Sequence, residues 1–523
     1  MPAQARFRHG ALLLAVALAT ACGSTVQGSS RVTAGNGVGN PQGIDDGLGG
    51  TTGLSAPQAP GGAGVTPTAS QSSTGSSGGS TAGPLSSTTG RGAPGGVTPA
   101  TSGPGVTDKV VYVGVVHDAN ADGVNSAAGV GAVTHGDSLA NTRAIVDDIN
   151  RHGGVAGRRV ELVTADFDST STQTLDQQWA AVCQTFTRDS PRVFAVIEVT
   201  NESYRDCLSR AGVLMLSDNL PTIGEESFRR HPGMFELGFP NVDRLARYQV
   251  TSLVEQHYFT PWNIFTGQAS ATGAVKVGVL TYNDRVFSSA VDRYLVPALR
   301  RLGYDPMVER VAPLGGASDV GASAAAVKSA QLAFAANGVT HIIPFESNGG
   351  LSTFFLPTAR TQAYYPRYGI STASGFEALR EAGVADNRQF NGAVGFGWMP
   401  SVDLQANDNP EKGRYSNAAR RHCRQVLRDH GITPDSGNAE AIALSACASL
   451  YLLQGAAART PGHLTVGTLA SAIESLGATY QGAGSLGMTF GPGRHDAADK
   501  VYHWRYTEAC TCFRYDGTLR TLP

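Results

Sequence analysis

The sequence predicts an α/β protein of two doubly wound open-sheet lobes facing each other across a cleft, preceded by a disordered tether. Three observations predict it. Apolar strand-like runs alternate with amphipathic helical runs from Lys109 onward, the alternation restarts at Lys276, and residues before Asp108 lack what a core needs. Alternating strands and helices argue a parallel sheet covered on both faces. A chain of 523 residues is too long for a single compact core. Net charge is -2 with 16% charged residues, which argues against nucleic acid or a strongly charged partner.

Residues 1–22 read as an export signal. Arg6, Arg8 and His9 precede "ALLLAVALAT", which is too short to span a bilayer. The run ends in "LATAC", which resembles a bacterial lipobox and implies that Cys22 is lipidated; an ordinary cleavage site followed by a chance cysteine is the competing reading. Residues 23–107 carry only Arg31, Asp45, Asp46 and Arg91 as charges and no aromatic residue. Such a segment cannot bury enough apolar surface to offset its ordering entropy. It reads as a flexible tether with an end-to-end distance of about 50 Å. A glycosylated Ser/Thr-rich stalk is compatible with it. Beyond the signal, no stretch reads as a membrane-spanning helix.

The first lobe starts with the buried strand "KVVYVGVVHD" and a Gly-rich loop. Leu139, Ile145, Val146 and Ile149 then recur at helical spacing, with Asp137 and Ser138 as candidate N-caps. Gly153 or Gly154 closes that helix, and "RVELVTADFD" returns as a strand. A helix with Leu175, Trp179, Val182, Cys183 and Phe186 on one face follows. Strand "VFAVIEV", a short helix from Tyr204 to Arg210 and strand "VLMLSD" complete the set.

The second lobe repeats the scheme. "KVGVLTYND", "VERVA", "HIIPFES" and "RYGIST" are its strands, with helices between them. "GAVGFGWMP" and the segments bearing Cys423 and Cys447 hold too few strands for a third domain and are expected to pack on the first lobe. The domain boundaries read 108–242 and 374–480 for lobe one, 243–373 for lobe two, and 481–523 for a return towards lobe two. Two such lobes leave a cleft at the strand carboxyl ends.

Setting Cys22 aside, six cysteines remain, an even number in an exported chain, so disulfides are the default. Pairing each with its sequence neighbour gives Cys183–Cys207, Cys423–Cys447 and Cys510–Cys512, the last closed over a single residue. A metal site competes with this reading, but no C-x-x-C pair or nearby histidine supports it. No metal or cofactor is expected.

With these elements in place, the chain from Asp108 onward resembles type I periplasmic solute-binding proteins, in the leucine/isoleucine/valine-binding branch that serves ABC importers. The most specific match is the joint formed by Asn150, Gly153, Gly154, Val155, Gly157 and Arg158, similar to that family's "N-x-x-G-G-v-x-G-r". The tail "GPGRHDAADKVYHWRYTEACTCFRY" resembles its closing strands, and Cys183–Cys207 suits a bridge of its first lobe. The resemblance implies a non-enzymatic monomer, lipid-anchored outside the cell membrane, that captures a small polar solute between its lobes and passes it to a permease.

By position, the ligand candidates in lobe one are Thr200, Asn201, Ser203, Ser217 and Asn219. Lobe two offers Tyr282, Asp284, Glu346 and Ser347, and Trp398 either stacks on the ligand or packs the hinge. Phe287 stands where the family usually has a tyrosine, and "ISTASG" lacks the family's acid. Glu346 or Glu202 is the substitute, although Glu346 also reads as the neighbour of a helix N-cap. "DANADG" starts like a calcium loop, but its twelfth position is Gly129, and a polar cleft loop is the preferred reading. His495 and Asp496 have no nucleophile beside them and read as a locally bonded turn. A solute receptor and a non-transporting sensor or envelope scaffold remain as readings, and a cleft filled by apolar residues favours the second. An exported hydrolase ranks below both for want of a catalytic set.

Overall fold

The computed structural model describes residues 102–118, 120–197, 201–217, 222–405, 413–460 and 463–523. The signal, Cys22 and nearly all of the tether lie outside the described residues. What is described belongs to the unit Pro94–Pro523.

The first sheet holds β1 (Val110–Asp118), β2 (Arg159–Phe167), β3 (Ala195–Ile197), β4 (Leu214–Ser217) and β5 (Met234–Glu236). They run parallel in the order β2-β1-β3-β4-β5. β3, β4 and β5 are buried at every position, as strands covered on both faces must be. One face packs under helices Ser138–Arg151 and Gly437–Ala457, through Ile145, Ile149, Leu444 and Leu453. The other packs under Leu175–Thr187 and Glu202–Arg210, through Val182, Phe186, Tyr204 and Leu208. Helix Gly437–Ala457 is long and apolar enough to cross a membrane, contrary to the sequence expectation, but two-thirds of it is buried against this sheet. Burial in a soluble core accounts for its composition.

The glycine-rich joint is explained locally. Asp137 caps helix Ser138–Arg151 by accepting from the Ala140 N–H at 2.8 Å. At the other end Asn150 uses both ends of its amide on β2, donating to the Val160 carbonyl at 3.0 Å and accepting from its N–H at 2.8 Å. Val155 and Arg158 exchange backbone hydrogen bonds across Ala156 and Gly157, whose φ values of 49° and 76° suit a type I′ turn. A Cβ on Gly154 would lie 2.0 Å from the Arg158 carbonyl. The motif makes a fold corner.

The second sheet holds β8 (Val277–Tyr282), β9 (Met307–Val311), β10 (His341–Phe345), β11 (Arg367–Ser371), β12 (Val394–Gly397), β13 (Lys500–Thr507) and β14 (Cys512–Thr521). A small hairpin, β6 (Trp262–Asn263) with β7 (Gln268–Ala269), precedes it. The order is β14-β13-β12-β11-β10-β8-β9, with β13 and β14 antiparallel at one edge. One boundary differs from expectation. "GAVGFGWMP" supplies β12, paired with β11, so the chain returns to lobe one after Gly397 and not at 374. Glycine hides the strand in the sequence and fits it in the structure: a Cβ on Gly395 would meet the Ile370 carbonyl at 1.7 Å.

Three crossovers join the lobes: the segment after β5, the segment after β12, and the segment before β13. The Glu236 N–H donates to the His495 carbonyl, and the Ala497 N–H donates back to Glu236. Arg244 donates to Asp496 at 2.5 Å, with both side chains buried, and Asp496 also accepts from the Asn241 N–H. His495 lies between the Met234 carbonyl at 3.0 Å and Glu474 at 2.8 Å. The expected local turn at His495 and Asp496 is therefore a long-range hinge clamp. Cys183–Cys207 and Cys423–Cys447 each tie two helices of lobe one together, and Cys510–Cys512 sits in the turn between β13 and β14.

Candidate functional site: the interlobe cleft

Two cavities lie where the strand carboxyl ends of the sheets meet. The first, of 300 Å³, is walled by Val116 and Asp118 of β1, Phe167 of β2, Ile197 of β3 and Ser217 of β4. Trp179, His135 and the helix residues Ser138, Ser445 and Ser449 complete it. Phe167 and Trp179, ring centroids 4.6 Å apart, form an aromatic pair on one wall, backed by the buried Tyr204 at 4.9 Å from Trp179. Asp118 accepts from the N–H groups of Asn120 at 3.0 Å and Ser169 at 3.3 Å through one carboxylate oxygen.

The second cavity, of 180 Å³, lies towards lobe two and the hinge. Gly350, Phe354, Thr372 and Leu379 wall it from lobe two, with Phe239 and Met399 at the hinge. Ala128, Val130 and Val133 reach it from lobe one, on the segment after β1. Val130 is 6% exposed and belongs to the apolar cluster of lobe two. That segment is folded back on itself: the backbone and ring nitrogens of His135 both lie 2.8 Å from Asp122. Thr134 is fixed to Asp435 and Asn438 beside helix Gly437–Ala457. Asn348 lines both cavities, and its φ of 50° is a left-handed conformation that asparagine tolerates better than most residues.

The structure distributes the sequence-predicted residues unevenly. Ser217 is on the first cavity wall. Thr200 and Asn219 lie outside the described residues. Asn201 is the N-cap of Glu202–Arg210, accepting from the Tyr204 N–H at 2.9 Å and donating to Asp176, to which the Ser203 hydroxyl also points. Asp284 caps Arg285–Ala290 through the Phe287 N–H at 2.8 Å, and burial pushes its carboxyl up. Tyr282 stands against Gly350, where a Cβ would meet its hydroxyl at 2.4 Å; the Ser347 carbonyl accepts from the Gly350 N–H.

For two candidates the structure favours the structural alternative of the sequence reading. Glu346 is 3% exposed and its oxygens accept from the Leu351 and Ser352 N–H groups and the Ser352 hydroxyl. It secures the start of helix Ser352–Thr361, and burial pushes its carboxyl up to about 7. Trp398 is fully buried, donating its indole N–H to the Gly238 carbonyl at 2.8 Å, and so packs the hinge. Glu202, the other candidate acid, is engaged by Arg205, Arg230, His231 and Ser227. Burial opposes its ionisation, but His231, Arg205 and Ser227 outweigh that and hold it well below the usual carboxylate range. Phe287, buried beside Tyr282 and Phe345, is core.

Sequence reasoning missed His135, Phe167, Trp179 and Asn348 as cavity residues, and placed Asp118 in a polar cleft loop without singling it out. Trp179 had a core reading on its helix face, and Asp118 was weighed only within "DANADG". The "NGG" after a buried strand was the available sign for Asn348, because such a sequence accommodates left-handed turns.

Against known proteins, a family model described as periplasmic binding protein matches residues 111–511. A fatty acid ABC transporter substrate-binding protein from Thermomonospora curvata superposes with TM-score 0.54 at 17% identity, covering 81% of this chain and 97% of that one. An ABC transporter substrate-binding protein from Aeropyrum pernix gives 0.54 at 14% identity, covering 79% and 96%. A possible leucine/isoleucine/valine-binding protein from Rhodopirellula baltica gives 0.51 at 16%, covering 78% and 96%. Comparison with curated sequences returns no match. At these identities the superpositions speak for the fold, and the family match spans most of the sequence. With two sheets, one parallel and one with an antiparallel edge, three crossovers and a cleft at the strand ends, this chain belongs to the family of the matching model, the periplasmic binding proteins.

Proposed function

We propose that this protein is an extracytoplasmic solute receptor that holds a small molecule in the interlobe cleft and delivers it to an ABC importer. The observation that carries the reading is the cleft itself: Asn348 of lobe two stands on the wall of the cavity formed by the β1, β2, β3 and β4 ends of lobe one. A ligand touching both lobes favours their juxtaposition by its differential affinity for that state. By their names, one of the similar structures is a fatty acid ABC transporter substrate-binding protein and another a possible leucine/isoleucine/valine-binding protein. Lipidation at Cys22 and the tether of residues 23–107 would hold this receptor at the outer face of the membrane, where a permease is within reach. In this reading it works as a monomer.

The test is purification from native membranes followed by native mass spectrometry and by permease ATPase assay in proteoliposomes. A co-purifying small molecule that stimulates ATP hydrolysis only with this protein supports the reading; hydrolysis indifferent to the protein refutes it. Cys22→Ser is expected to move the protein into the medium in folded form, and a membrane-bound mutant rejects the anchor. A second reading, a sensor or scaffold that does not transport, draws on Val130 and Val133 lining the second cavity. It predicts ligand binding without any effect on a permease.

A further inference from the structure

The walls of the two cavities are unequal: the first carries an acid and several hydroxyls, and the second is largely apolar. A zwitterion brings an ammonium that must meet an acid once water is removed. Glu346 and Glu202 are both engaged by their own neighbours. In the first cavity Asp118 is the wall carboxylate, at the end of β1. The second cavity has no charged side chain among its described lining residues, and Val130, Phe354, Leu379 and Met399 dominate it. Asn348 stands on the wall of both spaces, which makes them neighbours. The first, of 300 Å³, is at the lower end of the size range of small-molecule sites, about 300–1,000 Å³.

Resting on the cleft being the ligand site, we infer that its ligand is an elongated, largely apolar molecule with a hydrogen-bond-donating head, lying across both cavities. The head donates to Asp118 in the first cavity, within reach of the hydroxyl-bearing wall of Ser138, Ser217 and Ser449. The body follows the Phe167–Trp179 pair, passes Asn348 and ends among Phe354, Leu379 and Met399. A carboxylate head is disfavoured, because it would face Asp118 with like charge. Transfer of each methylene from water to such a wall strengthens binding by about fourfold.

The test measures binding of hexanamide, octanamide, decanamide, decanoate and leucine by calorimetry below their micelle concentrations, with hydrogen exchange to locate them. Affinity is expected to rise about fourfold per methylene along the amides. Decanamide is expected to bind at least about tenfold more tightly than decanoate or leucine, and Asp118→Asn to narrow the gap between amide and acid. Phe167→Ala and Phe354→Ala should each weaken decanamide about tenfold, one at each end, with an unchanged circular dichroism spectrum showing that each variant is folded. Leucine binding in the cleft more tightly than decanamide, or no dependence on chain length, overturns the inference and leaves the cleft reading standing. So does an effect of only one of the two alanine substitutions. Binding that protects neither 121–136 nor 347–354 overturns both.

Discussion

Glu346 uses both carboxylate oxygens on the start of the helix that follows it, and this decides what its removal does. Glu346→Ala should lower stability by about 1–2 kcal/mol, the usual cost of a lost cap, while ligand affinity of the folded protein stays the same. Denaturant titration and calorimetry on the same sample check the two halves. Arg244 is more consequential. Removing it strands Asp496 in the hinge, and breaking such a buried pair typically costs about 3–5 kcal/mol, so Arg244→Ala should unfold at much lower urea. Buried acids also set the pH response. Burial pushes Glu236 up to about 8, and Glu346 and Asp403 up to about 7, from ordinary values of 4.5 and 3.8. The folded state binds these protons more tightly than the unfolded chain, so it gains stability as pH falls through 8 and 7 towards 5. Glu202 acts oppositely, losing its contribution only below its unfolded value of 4.5. The melting temperature should therefore rise from pH 8 to pH 5 and fall in stronger acid; a flat profile from 8 to 5 contradicts this assignment.

Elements show where the sequence was informative and where it was not. The Asp137 cap, the Asn150 joint and the neighbour pairing of the cysteines were legible because each is fixed by residues close in the chain. β12 was not, since a four-residue V-G-F-G run carries too little strand signal until Ile370 is seen beside it. The hinge was not, because Asp496 meets Arg244 across 252 positions. The ligand residues were harder still. Asn, Ser and Asp after a strand serve equally as helix caps or as ligand contacts, and Asn201 and Asp284 turn out to cap. Opening Cys183–Cys207 should cost about 3 kcal/mol in the chain-entropy account, read as a lower denaturation midpoint after Cys→Ser at both positions. Val130 belongs to the segment after β1 but packs with lobe two, so Val130→Asp should enlarge the radius of gyration in small-angle scattering. An unchanged radius means the segment does not hold the lobes together.

The unit Pro94–Pro523 holds, among its described residues, two sheets joined by three crossovers that Arg244, Glu236, Asp496 and Trp398 hold together. The sheets position the strand-end loops, and the loops are left to hold a ligand. The claim that function resides between the lobes is tested most directly by hydrogen exchange during titration with the molecule recovered from native membranes, or with decanamide in its place. The account predicts that 121–136 in lobe one and 347–354 and 372–379 in lobe two gain protection together, saturating at one ligand concentration. Protection confined to a single lobe, or appearing away from these strand ends, would contradict it.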